Sequence, residues 1–190
     1  VGDNVGDVAG MGSDLFESYA SSIIAAITLA TLAGGGISAE DTTAAQVYPL
    51  LVAAMGIVIS IGATFLVTTK EGASQEDLLW SLRKGVYGAS AGVAVAVILL
   101  VLLLGLDEGV IIATLAGVIG GVAIGYFTEY FTADTYAPTQ NLSESAQGGA
   151  GIVIIRGLAV GMFSTMAPVI IVILVTLIAM DATGLYGLAV

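Results

Sequence analysis

The run VYGASAGVAVAVILLVLLLGL, residues 86–106, decides the fold, because it holds no charged side chain. It meets the ~20 apolar residues that a helix needs to cross a bilayer. Backbone groups find no water in hydrocarbon, so such a span has to be helical. Comparable runs lie at about 47–69, 110–131 and 157–180. A further helix, at about 5–33, opens with acids and turns apolar over residues 23–33. The sequence therefore predicts an all-α, polytopic transmembrane helix bundle, a single helical unit over residues 1–190 with about five spans. Composition agrees: 57% of residues are hydrophobic and 10% charged, with a mean hydropathy of +1.04. A soluble domain carries about 25% charge.

Composition also excludes whole classes of chemistry. There is no cysteine, hence no disulfide, thiolate or cysteine metal site. There is no histidine, which removes histidine triads, zinc sites and imidazole proton shuttles. A net charge of −11 leaves no basic footprint for nucleic acid. No P-loop, nucleotide fingerprint or catalytic triad is present. Carboxylates, hydroxyls, four basic residues and the backbone remain.

Between the spans the sequence predicts a Gly34-Gly35-Gly36 stop, a polar loop at 70–77, a tight turn at Asp107-Glu108-Gly109 and a long polar segment at 134–151. Trp80 suits the membrane interface. Pro168 predicts a kink in the last span. The pairs Gly88–Gly92, Gly117–Gly121, Gly121–Gly125 and Gly157–Gly161 are spaced for close helix packing. Alternating the spans puts Lys70, Arg83, Lys84 and Arg156 on one side, with the start of the first helix. Glu40, Asp41, Asp107, Glu108 and Asp181 fall on the other. Basic residues mark the cytoplasmic side, so the first helix starts there. Glu129 is expected at that interface or paired, and Arg156 at the headgroups.

Chemistry concentrates on the first helix, DNVGDVAGMGSDLFESY, residues 3–19. Asp3, Asp7, Asp14 and Glu17 fall at about 0°, 40°, 20° and −40° around its axis. They share one narrow face, with Gly6, Gly10 and Ser21 close by. Like charges so arranged repel and need cations, donors or protons. Asp3 and Asp7, one turn apart at an aqueous mouth, suit Mg²⁺ with phosphate oxygens, or a solvated helix start favoured by the dipole. Glu17 lies about 21 Å further along the axis than Asp3. Asp14 and Glu17 are thus at membrane depth, where carboxylates serve ion or proton paths. A structural pairing with a basic residue on a neighbouring helix is the alternative.

The same run closely resembles the sixth-helix motif of the membrane-integral pyrophosphatases, the pyrophosphate-energised cation pumps. A second stretch, Phe127-Thr128-Glu129-Tyr130 through Arg156-Gly157-Leu158-Ala159-Val160-Gly161-Met162, is similar to that family's ninth and tenth helices. The chain does not begin with Met. On the resemblance it is an internal piece holding helices six to ten of sixteen.

The resemblance implies roles. Asp3 matches an aspartate that binds Mg²⁺–pyrophosphate. Asp7 matches one that also holds and deprotonates the attacking water. Asp14 and Glu17 match the gate acids of the ion path. Glu17 stands where the sodium-pumping and potassium-dependent members have glutamate. Plant-type proton pumps carry it one turn later, at the position of Ser21. Mg²⁺, with K⁺ and Na⁺, is the implied cofactor set. Pyrophosphate, the lipid bilayer and a second copy, as a homodimer, are the implied partners, without nucleic acid. A prokaryotic cell membrane is the expected location. The gate lysine and further Mg²⁺ ligands of the family are absent from these 190 residues, so the isolated piece is expected to be inactive. Readings from other classes are an ion channel or secondary transporter on the same acidic face, and a scaffold subunit whose acids only pair.

Overall fold

The computed structural model describes residues 1–31, 42–70 and 72–190. The Gly34-Gly35-Gly36 stop, Glu40 and Asp41 lie outside these residues. The described chain is helical throughout, with no strand among the described residues: α1 (Gly2–Thr31), α2 (Thr42–Thr64), α3 (Gln75–Leu104), α4 (Glu108–Thr132), α5 (Ala137–Ser145) and α6 (Ala150–Ala189). Successive long helices run antiparallel, and α4 packs on α6 across the short α5. Four stretches are long and apolar enough to cross a membrane: Thr42–Thr64, Glu76–Leu104, Glu108–Gly148 and Ala150–Ala189. α1 is not among them over its described residues, Gly2–Thr31.

Local chemistry sets the boundaries. α3 starts well before residue 86, at a capping box: Asp77 N–H donates to Ser74 Oγ, and Ser74 N–H to Asp77 Oδ2. The expected polar loop at 70–77 thus ends inside the first turn of α3. Gly105 closes the helix in the left-handed region, φ 67°, a conformation that glycine adopts without penalty. Asp107 then caps α4, its Oδ1 accepting from Gly109 N–H at 2.6 Å. α2 stops at Thr64, earlier than expected, and residues 65–67 form successive turns. In α6 the residues that leave helical φ/ψ are Thr183 and Gly184, not those around Pro168.

The core lies at the end of the bundle away from the basic residues. Ala30, Ala45, Tyr48, Val101, Leu106, Val110 and Tyr186 pack there, Tyr48 and Tyr186 being fully buried. Pro49 sits inside α2 and has no N–H to offer the Ala45 carbonyl one turn back. Tyr186 supplies that donor from α6, its hydroxyl bonding Ala45 O at 2.7 Å. Tyr48 Oη meets Thr114 Oγ1 at 3.1 Å, which ties α2 to α4. Thr183 Oγ1, at the α6 break, is buried without a hydrogen-bond partner among the described residues.

Of the glycine pairs, Gly88 and Gly92 are pressed against α2. A Cβ on either would strike Leu66 or Ile59. Gly117, Gly121, Gly125 and Gly161 face open space, and Gly157 meets only Leu142.

Candidate functional site on the acidic helix

α1 divides into two halves. Residues 1–19 are exposed on every face. Below them Ala26 and Ala30 are buried against the bundle. The half that carries the acids therefore projects free of the other described helices. Its apolar residues Val5, Val8, Met11, Leu15 and Phe16 are exposed as well. By helix geometry these fall at about 80–220° from Asp3, opposite the acids. Tyr19, Ala26 and Ala30, at about 140–180°, mark the face that packs. The acidic stripe thus points away from α2 and α6.

Asp3, Asp7, Asp14 and Glu17 all lie on α1, on one face by helix geometry, and are exposed among the described residues. The structure brings no basic side chain to any of them among the described residues. No group of three or more Asp, Glu, His or Cys with metal-holding geometry occurs among the described residues. Asp3 and Asp7 offer two hard oxygen donors one turn apart. That fits the share a protein usually contributes to Mg²⁺, the rest being water and substrate oxygens. The basic partner that the pairing reading calls for is not among the described residues. Gly6 and Gly10 have nothing within 4 Å, so the small face is open to approach.

One anchor holds this helix laterally. Tyr19 Oη donates to the Ala53 carbonyl of α2 at 2.7 Å. A cleft of about 540 Å³ lies beside it, lined in part by Ser22, Ala26, Pro49, Gly56 and Ser60.

A second polar cluster sits between α3 and α4. Arg83 grips Glu129 in a bidentate pair: Nε to Oε2 at 2.8 Å and Nη2 to Oε1 at 2.6 Å. Nη2 also donates to Tyr136 Oη at 2.6 Å. The guanidinium lies 5.8 Å from the Tyr126 ring centroid, and Lys84 Nζ 5.8 Å from that of Trp80. Sequence reasoning had Glu129 interfacial or paired but did not find Arg83. The available signal was depth: both lie one to two turns in from the same end of antiparallel neighbours. Arg156 is exposed and has no ion-pair partner among the described residues, in keeping with a headgroup position.

The described residues define an all-helical, multi-pass membrane protein. The comparisons narrow the class. The family profile described as inorganic H⁺ pyrophosphatase matches residues 1–190, and the chain belongs to that family. It is 43% identical over 182 residues to a Bacteroides thetaiotaomicron protein provisionally named K(+)-stimulated pyrophosphate-energized sodium pump, covering 91% of this chain and 24% of that one. A Clostridium tetani protein of the same name is 36% identical over 202 residues, covering 100% of this chain and 28% of that one. A K(+)-insensitive pyrophosphate-energized proton pump of Caldanaerobacter subterraneus is 34% identical over 210 residues, again across 100% of this chain and 29% of the relative. The chain thus spans about a quarter of these relatives' lengths.

Proposed function

We propose that the full-length protein couples Mg²⁺-dependent hydrolysis of pyrophosphate to the export of Na⁺ from the cytoplasm, and that α1 serves both parts of that work. The observation that carries the reading is the acidic stripe. Four carboxylates run along about 21 Å of one helix face, and none is engaged by another described side chain. The names of the relatives support the substrate and the pumped ion.

Within this reading Asp3 and Asp7 hold the Mg²⁺–pyrophosphate complex at the cytoplasmic mouth. Mg²⁺, when bound, neutralises phosphate oxygens and orients them. Asp7 positions a water and takes its proton as the oxygen attacks phosphorus and the bridging P–O bond breaks. Two phosphates result. Asp14 and Glu17, about 10 Å and more below Asp7, form the ion gate. A carboxylate at that depth is costly unless an ion, a proton or a basic group answers it. Further Mg²⁺ ligands come from the rest of the protein, so the 190-residue piece alone does not turn over. K⁺ serves as activator. A homodimer forms through α6, whose apolar face, including Ile155, Met162 and Phe163, is exposed. The cluster of basic residues at one end supports a cytoplasmic start for α1, and the bacterial relatives support a prokaryotic cell membrane.

A second reading keeps the chemistry and replaces Na⁺ by H⁺. The proton-pump names among the relatives favour it. Reconstitution of the full-length protein in vesicles separates the two. Phosphate release with Na⁺ uptake is expected. Proton uptake alone selects the second reading. A channel or a scaffold releases no phosphate at all.

A further inference from the structure

Tyr19 lies two residues beyond Glu17, where the free half of α1 meets the packed half. Its hydroxyl makes the one side-chain hydrogen bond from α1 to another helix among the described residues. The other hydroxyls of α1 stay local: Ser22 bonds Ser18 O, Thr28 bonds Ile24 O and Thr31 bonds Thr28 O. Around the axis Tyr19 stands about 160° from Asp3. Fastening it to α2 therefore turns the acidic stripe outward, away from α2.

The 540 Å³ cleft lies beside Tyr19. A Cβ at Gly56 would sit 3.8 Å from the hydroxyl, an ordinary contact distance. The next residue of this face buried against the bundle is Ala26, two turns further on. At the level of the deep acids the hydroxyl bond to the Ala53 carbonyl is the polar tie from α1 to α2.

We infer that Tyr19 is a positioning residue for the ion path: its bond to Ala53 sets the rotation and depth of Asp14 and Glu17. This rests on the pump reading. Tyr19 touches neither substrate nor ion. It acts through α1, by holding the two deep acids in one register against the part of the protein that answers them.

The test uses the full-length protein in lipid vesicles. Tyr19→Phe removes one oxygen and no packing surface. It is expected to raise the Na⁺ concentration for half-maximal hydrolysis about fivefold, the scale of one hydrogen bond, and to lower the Na⁺ moved per phosphate released. Replacing Tyr19 by p-aminophenylalanine keeps a donor at the same place and is expected to restore both. A Tyr19→Phe protein with unaltered Na⁺ dependence and stoichiometry overturns the assignment, as does a defect that the amino analogue fails to repair. Nitroxides on Met11→Cys and Phe65→Cys read the geometry without any activity. Tyr19→Phe is expected to broaden their distance distribution, and an identical distribution overturns the assignment. The pump reading fails separately, through absence of pyrophosphate hydrolysis in the unsubstituted protein.

Discussion

The Tyr48–Tyr186 end of the bundle and the first half of α1 both place polar groups among apolar ones, and they treat them in opposite ways. At the core end Tyr48 is joined to Thr114, and Tyr186 covers the carbonyl that Pro49 leaves without a donor. Both phenols are fully buried there. On α1 four carboxylates share a face and none has a partner on a described helix. A buried hydroxyl left unpaired costs about 1–3 kcal/mol, so the core end satisfies nearly all of its own. The α1 acids are instead exposed and face away from the described helices, where the proposed pump would bind its substrate and ion.

The contrast is broken most severely by isolating the chain. The 190 residues in detergent, given Mg²⁺ and pyrophosphate, are expected to release no phosphate. Detectable turnover would mean that α1 needs no ligands from elsewhere. In the full-length protein Glu17→Ala is expected to abolish Na⁺ uptake into vesicles. Unaltered uptake would move the ion path off this helix face.

Effects on stability test the structural side of the comparison. Arg83→Ala leaves Glu129 without its bidentate partner at a site where the two side chains are only 23% and 20% exposed. A loss of about 2–3 kcal/mol is expected, since hydrogen bonds to charged groups are worth that much. Thermal unfolding in detergent reads it, and an unchanged midpoint would make the pair decorative. Tyr186→Phe is expected to cost less, about 1–2 kcal/mol, by leaving the Ala45 carbonyl bare. A variant as stable as the parent would show that another group reaches that oxygen.

How much of this was legible in the sequence follows from what kind of property each feature is. The apolar length of a span is a sum over a run, so α2, α3, α4 and α6 could be read directly. The acidic stripe was equally legible, because helix periodicity alone puts Asp3, Asp7, Asp14 and Glu17 on one face. The start of α3 was missed because the Ser74–Asp77 capping box outweighs the polarity of its first turns. Partnerships between helices depend on rotation and depth, which no single run contains. Arg83 and Glu129 are 46 residues apart and Tyr186 and Ala45 are 141 apart, so neither pairing left a local trace. Glycine spacing was a poor guide for the same reason. Gly88–Gly92 and Gly117–Gly121 read alike, yet only the first pair is turned toward a neighbour. The packing face of α1 was unread too: Tyr19 looked like the end of a motif and is its anchor.

The central claim is that the cytoplasmic end of α1 performs hydrolysis, and Asp7 is the residue through which it stands or falls. The direct measurement is Mg²⁺-dependent phosphate release from pyrophosphate by the full-length protein and by its Asp7→Asn variant, at matched amounts in membranes. Loss of the proton acceptor is expected to lower the rate at least about a hundredfold, the lower end of what a positioned base contributes. An Asp7→Asn protein that releases phosphate at the parent rate would contradict the account.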